Sequence, residues 1–92
     1  MANAIVTLKI MPESPETNLT ELEEKTKKAI AEFAGEGETK TEIEPVAFGL
    51  KAVKITFVMD EALGSPDPLA EKVEGFDDVN SAEIVDVRRA LG

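Results

Sequence analysis

The sequence predicts an α+β domain whose elements follow the order βαββαβ, with one four-stranded antiparallel sheet and two helices on one face. Four segments alternate apolar and polar residues, which is typical of strands with one buried face. Two others carry apolar residues three or four positions apart, as amphipathic helices do. Clusters of glycine and proline separate these segments, and no linker or internal repeat interrupts them. This order is that of a ferredoxin-like fold, predicted here as a single domain over residues 1–92.

The first strand is predicted over residues 4–11, where apolar side chains recur at every second position. It ends at Pro12, because proline lacks a backbone donor and, with Pro15, restricts the chain to extended or turning conformations. Asn18 then predicts the N-cap of a helix. The segment Gly35-Glu36-Gly37 predicts its end through a left-handed cap. Between them runs one inward stripe, formed by Leu19, Leu22, Thr26, Ala29, Ile30 and Phe33.

Two strands are predicted next, over residues 38–44 and 50–59. The first is polar with alternating Thr39, Thr41 and Ile43, which favours an edge position or one face in water. The second is the most apolar strand of the chain. Phe57 on this strand has a possible role in stacking on RNA bases, but it shares its face with aliphatic residues and has no second aromatic nearby, so packing in the core is predicted.

The last third of the sequence predicts a short helix and a final strand. Ser65 or Asp67 is suited to cap the helix, Leu69 and Val73 point inward, and Gly75 ends it. The strand is predicted over residues 79–87. Its first five residues do not alternate cleanly, which predicts a bulge or register change within residues 79–83.

Composition excludes several classes of function. The chain has no cysteine and no histidine, which removes disulfides, the usual zinc sites and imidazole bases. No catalytic residue, metal site or cofactor is therefore predicted. The acidic pairs Asp60-Glu61 and Asp77-Asp78 fit no calcium-loop pattern and are interpreted as solvated turns.

Charge and hydropathy bear on partners and location. The net charge of −9 repels phosphates and anionic lipid, so no direct nucleic acid partner and no membrane partner is predicted. The start of the sequence lacks the pattern of a secretory signal, so a cytoplasmic protein is expected.

Two features are left unexplained by these patterns. Phe48-Gly49 lies at the connection between the second and third strands, where glycine suits a reversal but phenylalanine in water costs free energy. Phe48 is expected either to fold back as a lid over the core or to contact a partner. The pair Arg88-Arg89 brings scarce positive charge to the end of the sequence, either as a frayed terminus or as a binding element.

Three segments resemble a known family when they are taken together and in order. They are residues 9–14 (KIMPES), 45–51 (PVAFGLK) and 86–89 (DVRR). The resemblance is to the archaeal form of translation elongation factor 1-beta and covers essentially the whole chain. It implies a guanine-nucleotide exchange factor that promotes GDP release from, and GTP loading on, the GTPase elongation factor 1-alpha. It implies no covalent chemistry and no tightly bound nucleotide.

The resemblance also implies which residues contact the GTPase: Phe48, Gly49, Lys51, Arg88 and Arg89. In the eukaryotic relatives an aromatic at the position of Phe48 contacts the GTPase, and a penultimate lysine reaches toward the magnesium and phosphate site. This sequence ends in Ala90-Leu91-Gly92, so the lysine role is not carried over. One of the two arginines is a candidate replacement, since neighbouring residues on a strand point to opposite faces.

Two other classes of function remain alternatives. One is a ferredoxin-like domain that senses a small molecule or forms oligomers, without exchange activity. The other is an acylphosphatase-like hydrolase, which would require an arginine in the loop after the first strand. Residues 11–17 contain none, so this alternative ranks last.

Overall fold

A computed structural model of the chain describes residues 3–35 and 37–90. The predictions that involve Glu36 and the terminal pairs Met1-Ala2 and Leu91-Gly92 lie outside the described residues. The elements follow the predicted order βαββαβ, with short 3₁₀ turns at Ala47–Gly49 and Glu61–Leu63. The strands and helices are β1 (Asn3–Pro12), α1 (Leu19–Ala34), β2 (Thr39–Pro45), β3 (Lys51–Asp60), α2 (Asp67–Glu74) and β4 (Val79–Ala90).

The four strands form one sheet in the order β2-β3-β1-β4, and every neighbouring pair is antiparallel. This confirms the α+β, ferredoxin-like prediction, and it confirms the edge position predicted for β2. The two central strands, β3 and β1, are the most apolar because each has a neighbouring strand on both sides in the middle of the sheet. β4 forms the other edge and extends three residues beyond its predicted end.

The pairing of β1 with β4 is interrupted at two places. Ser81 pairs with Met11 and Val79 pairs with Pro12, which leaves Asn80 without a partner and confirms the predicted irregularity. A second interruption, which the sequence did not predict, leaves Val85 unpaired. An extra residue in one strand resets which side chains face which side of the sheet beyond it.

The core lies between one face of the sheet and the two helices. Phe57 is 1% exposed, which confirms its predicted place in the core and excludes a stacking role on the surface. Burying such side chains contributes roughly 1.5 to 3 kcal/mol each, before the entropy cost of ordering the chain. The largest fully buried members of the cluster are Leu8, Ile10, Leu22, Ile55, Phe57 and Leu69.

Helix α1 begins and ends at the predicted residues, whereas the N-cap of α2 differs from the prediction. Asn18 Oδ1 accepts hydrogen bonds from the backbone N–H groups of Thr20 and Glu21, at 3.0 and 3.2 Å. Gly35 ends α1 with φ 85° and ψ 164°, so the positive φ is as predicted but the residue is not left-handed helical. The N-cap of α2 is Pro66, so the prediction that Ser65 or Asp67 occupies that position is wrong, although Ser65 Oγ accepts a hydrogen bond from Asp67 N at 3.1 Å.

The other face of the sheet, called the open face below, carries the side chains that alternate with the core residues. The described helices pack on the core side, and none is long and apolar enough to cross a membrane. The open face comprises Asn3, Ile5, Thr7, Lys9 and Met11 of β1, Lys40, Glu42 and Glu44 of β2, Ala52, Lys54, Thr56, Val58 and Asp60 of β3, and Ser81, Glu83, Asp86 and Arg88 of β4.

Candidate functional site

The hairpin between β2 and β3 is closed by backbone hydrogen bonds. Pro45 and Lys51 form the last strand pair. Beyond it, Val46 N donates to Leu50 O at 2.8 Å, and Leu50 N donates to Ala47 O at 3.3 Å. These bonds hold residues 46–50 in a tight loop, so the backbone at its tip has a defined conformation.

Phe48 is at this tip with its side chain in water. The residue is 92% exposed, so the expectation that it folds back as a lid over the core is wrong. Its backbone has φ 63° and ψ 29°, and it is the one non-glycine residue with positive φ in the described part of the chain. A bulky residue in this region is a rare and strained choice. Phe48 therefore carries two costs, of exposure and of conformation, and within the described residues its side chain is almost entirely unburied.

Gly49 and Lys51 complete the hairpin site. Gly49 has φ 75°, and an added Cβ would meet no atom within 4 Å, so the backbone angle is what requires glycine. Lys51 begins β3 opposite Pro45 and is exposed. The three hairpin residues implied by the resemblance thus lie together.

The two arginines belong to a paired strand, so the expectation of a frayed terminus at these residues is wrong. Arg88 pairs with Ile5 on the open face, and Arg89 pairs with Ala4 on the helix side. Arg88 Nε lies 2.9 Å from Asp86 Oδ2. Arg89 Nε lies 2.9 Å from Glu61 Oε1, in the 3₁₀ turn after β3. Each cation is balanced by a carboxylate on its own side of the sheet.

The hairpin and the arginines lie at opposite ends of the sheet. Val58 and Arg88 both pair with Ile5, so these three residues form one row across the strands. Lys51 is seven residues from Val58 along β3, a separation of about 23 Å at roughly 3.3 Å per residue. The long axis of the molecule measures 42 Å. The fold therefore does not gather the expected contact residues into one cluster.

The acidic pairs act in turns, as interpreted from the sequence. Asp60 Oδ1 accepts a hydrogen bond from Ala62 N at 2.9 Å, and Asp78 Oδ2 forms an ion pair with Lys25 Nζ at 3.3 Å. Across residues 3–35 and 37–90, no group of three or more acidic side chains is arranged to hold a metal ion.

Two other carboxylates have their pKa values lowered by lysines on the helices. The Lys72 ammonium, 2.6 Å away, lowers the pKa of Glu32 and links α2 to α1. The Lys27 ammonium, 2.7 Å away, lowers the pKa of Glu23 one turn earlier in α1. Both shifts favour the ionised carboxylate, so neither group is suited to donate a proton at neutral pH.

The grooves on the helix side are shallow. The one between α1 and α2 has a volume of about 290 Å³ and is open to solvent. Its lining combines three lysines with one apolar ring, namely Lys25, Lys28, Lys72 and Phe76, together with Ala29 and Glu32. Neither strand or helix patterns nor core packing explain the exposed phenylalanine at the hairpin tip or the uncovered face of the sheet.

Comparison with known proteins matches residues 5–90 to the family described as the EF-1 guanine nucleotide exchange domain. Curated relatives of the same length carry the name elongation factor 1-beta. That of Pyrococcus horikoshii is 46% identical over 88 residues, which cover 95% of this chain and 94% of the relative. That of Sulfolobus acidocaldarius is 44% identical over 88 residues, covering 95% and 96%. That of Methanosphaera stadtmanae is 38% identical over 91 residues, covering 99% and 100%.

Proposed function

The chain belongs to the EF-1 guanine nucleotide exchange family and is a nucleotide exchange factor of translation elongation, and we propose that its partner is the GTPase elongation factor 1-alpha. On that GTPase it promotes release of GDP, after which the emptied site binds GTP from the surrounding excess. A role in translation places this activity in the cytoplasm.

The proposed mechanism is differential binding without covalent chemistry. The factor binds the nucleotide-free GTPase more tightly than the GDP-bound form, and by linkage it weakens GDP binding by the same factor. A coupling of about 1.4 kcal/mol corresponds to a tenfold change in affinity. Such a task requires a shaped contact and a well-placed charge, and it requires no nucleophile, base, metal or bound nucleotide on the factor itself.

The observation that carries the proposal is the exposed, positive-φ Phe48 at the tip of a closed hairpin. Because the backbone of this loop is already ordered, binding costs little further conformational entropy of the loop. The aromatic ring becomes buried only in a complex. Phe48 is therefore proposed as the apolar contact with the GTPase. Gly49 permits the turn, and Lys51 adds a cation beside it.

A second contact is proposed for the arginine end of the sheet. A guanidinium directed at the nucleotide site competes with the metal ion that holds the phosphates, and so favours the nucleotide-free state. Arg88 and Arg89 are both exposed enough to exchange their present carboxylate partners for groups on another protein.

The proposal is tested by the release of fluorescent GDP from elongation factor 1-alpha in an excess of unlabelled nucleotide. The wild-type protein is expected to accelerate release in a saturable manner. Phe48→Ala is expected to reduce the acceleration at subsaturating concentration about tenfold or more, because truncation of an aromatic anchor at an interface commonly costs that much.

Leu63→Ala is the matched control. Leu63 is an apolar residue in the other 3₁₀ turn and is 47% exposed, against 92% for Phe48, so its truncation shortens an exposed apolar side chain without touching the hairpin. With Leu63→Ala, GDP is expected to leave the GTPase at the rate measured with the wild-type protein. No acceleration by the wild-type protein at saturation would refute the exchange function, and equal rates for Phe48→Ala and wild type would refute the role of Phe48.

A further inference from the structure

We propose that the open face of the sheet is the surface along which this protein contacts its GTPase, and that Arg88 rather than Arg89 is the cation directed at the nucleotide site. The inference rests on the proposed function and adds to it the face of the molecule that takes part. It follows from the separation of the two contact regions, the composition of the open face and the position of each arginine.

The separation of the two contacts implies that the surface between them is part of the interface. A single partner that reaches both Phe48 and an arginine must follow the strands for more than about 20 Å. On the helix side, α1 and α2 form a layer roughly 10 Å thick between the two ends of the sheet. On the open face, β3 runs from the hairpin to the row of Arg88, and both described helices pack on the other side of the sheet. A partner surface therefore reaches both ends along the open face without crossing the helix layer.

The arginine end of the open face also presents apolar surface. Val58 is 46% exposed, and it pairs across the sheet with Ile5, which in turn pairs with Arg88. An exposed valine beside an arginine offers a small apolar contact next to a cation. Arginine is enriched at protein interfaces, and their buried centres are more apolar than the rest of the surface.

Charge favours the same face. The open face carries four basic side chains and five acidic ones, so its charges nearly balance although the chain as a whole has a net charge of −9. A GTPase with a guanine nucleotide presents anionic phosphates, which repel an acidic surface. The nearly balanced face is thus suited to approach such a site. The nine side chains are Lys9, Lys40, Lys54, Arg88, Glu42, Glu44, Asp60, Glu83 and Asp86.

The two arginines differ in how they are held. Arg88 is 77% exposed and is paired with Asp86 two residues away on the same strand, so this local pair opens without displacing another element. Arg89 is on the helix side and joins β4 to Glu61 in the turn after β3. Arg88 therefore has the freer side chain and shares a face with Val58.

The test uses two valines at the same end of the sheet and on opposite faces. Val58 and Val87 are 46% and 53% exposed, and Val87 pairs with Val6 on the helix side. Val58→Glu and Val87→Glu make the same change in size and charge. GDP release from elongation factor 1-alpha is measured with each variant at subsaturating concentration, after circular dichroism has shown that both are folded.

The expected result is a loss of about tenfold or more in the acceleration for Val58→Glu, because a carboxylate would be buried in the contact. Val87→Glu is expected to remain within about twofold of wild type, as a substitution outside an interface does. Equal effects of the two variants, or a larger loss for Val87→Glu, would overturn the assignment of the open face.

A second pair of variants tests the cation and does not depend on the stability of the valine variants. Arg88→Ala is expected to reduce the acceleration more than Arg89→Ala does, and both side chains are exposed enough to be truncated without loss of the fold. The reverse order would assign the contact to the helix side. If the wild-type protein does not accelerate GDP release, the exchange function itself is contradicted. If it does, the variants test only the assignment of the open face and of Arg88.

Discussion

Phe48 is the residue whose properties are hardest to explain by folding alone. Burial of a phenylalanine side chain contributes about 1.5 to 3 kcal/mol, and Phe48 forgoes this by remaining in water. Its positive φ adds strain that glycine or asparagine would avoid. The sequence predicted the turn and the unusual aromatic. It did not predict the conformation, because no pattern in residues 45–51 places the positive φ on Phe48 as well as on Gly49.

Phe48→Asn is therefore expected to stabilise the protein while it removes the proposed contact. Asparagine adopts positive φ readily, so the free energy of unfolding is expected to rise by about 0.5 to 1 kcal/mol. The measurement is urea denaturation followed by circular dichroism. Phe48→Val is the control with the opposite sign, because a β-branched residue tolerates this φ less well. A lower stability for Phe48→Asn would mean that the ring packs on the protein in solution.

At the scale of elements, alternation predicted which faces of β1 and β3 are buried, because both strands pair regularly with each other. β4 was less predictable. The run from Ile84 to Val87 alternates acceptably in more than one register, so the unpaired Val85 left no signal in the sequence. That residue nevertheless decides the site, since an uninterrupted ladder that retained Val85 would move Arg88 to the helix side.

Deletion of Val85 is expected to keep Arg88 opposite Ile5. Without Val85, Asp86 follows Ile84 directly and still meets Thr7, so the pairing beyond the bulge is retained in a regular ladder. The measurement is the set of cross-strand nuclear Overhauser contacts between β1 and β4. Contacts of Ile5 with Arg89 in place of Arg88 would contradict this account of the bulge.

At the scale of the whole molecule, the features proposed for exchange are distributed along a sheet rather than enclosed in a pocket. Phe48 lies at one end, Arg88 at the other, and the nearly charge-balanced open face connects them along a molecule 42 Å long. The helix side and the loops carry the excess of acidic residues. This division suits a protein that binds one large partner along one face. The proposed mechanism requires that this protein bind the nucleotide-free and the GDP-bound partner with different affinities.

Calorimetric titration of this protein into elongation factor 1-alpha, once nucleotide-free and once saturated with GDP, tests that requirement most directly. The account predicts tighter binding to the nucleotide-free GTPase, by the same factor by which this protein weakens GDP binding. Equal affinity for the two forms would contradict it, because a protein that binds both states equally well cannot shift the equilibrium between them.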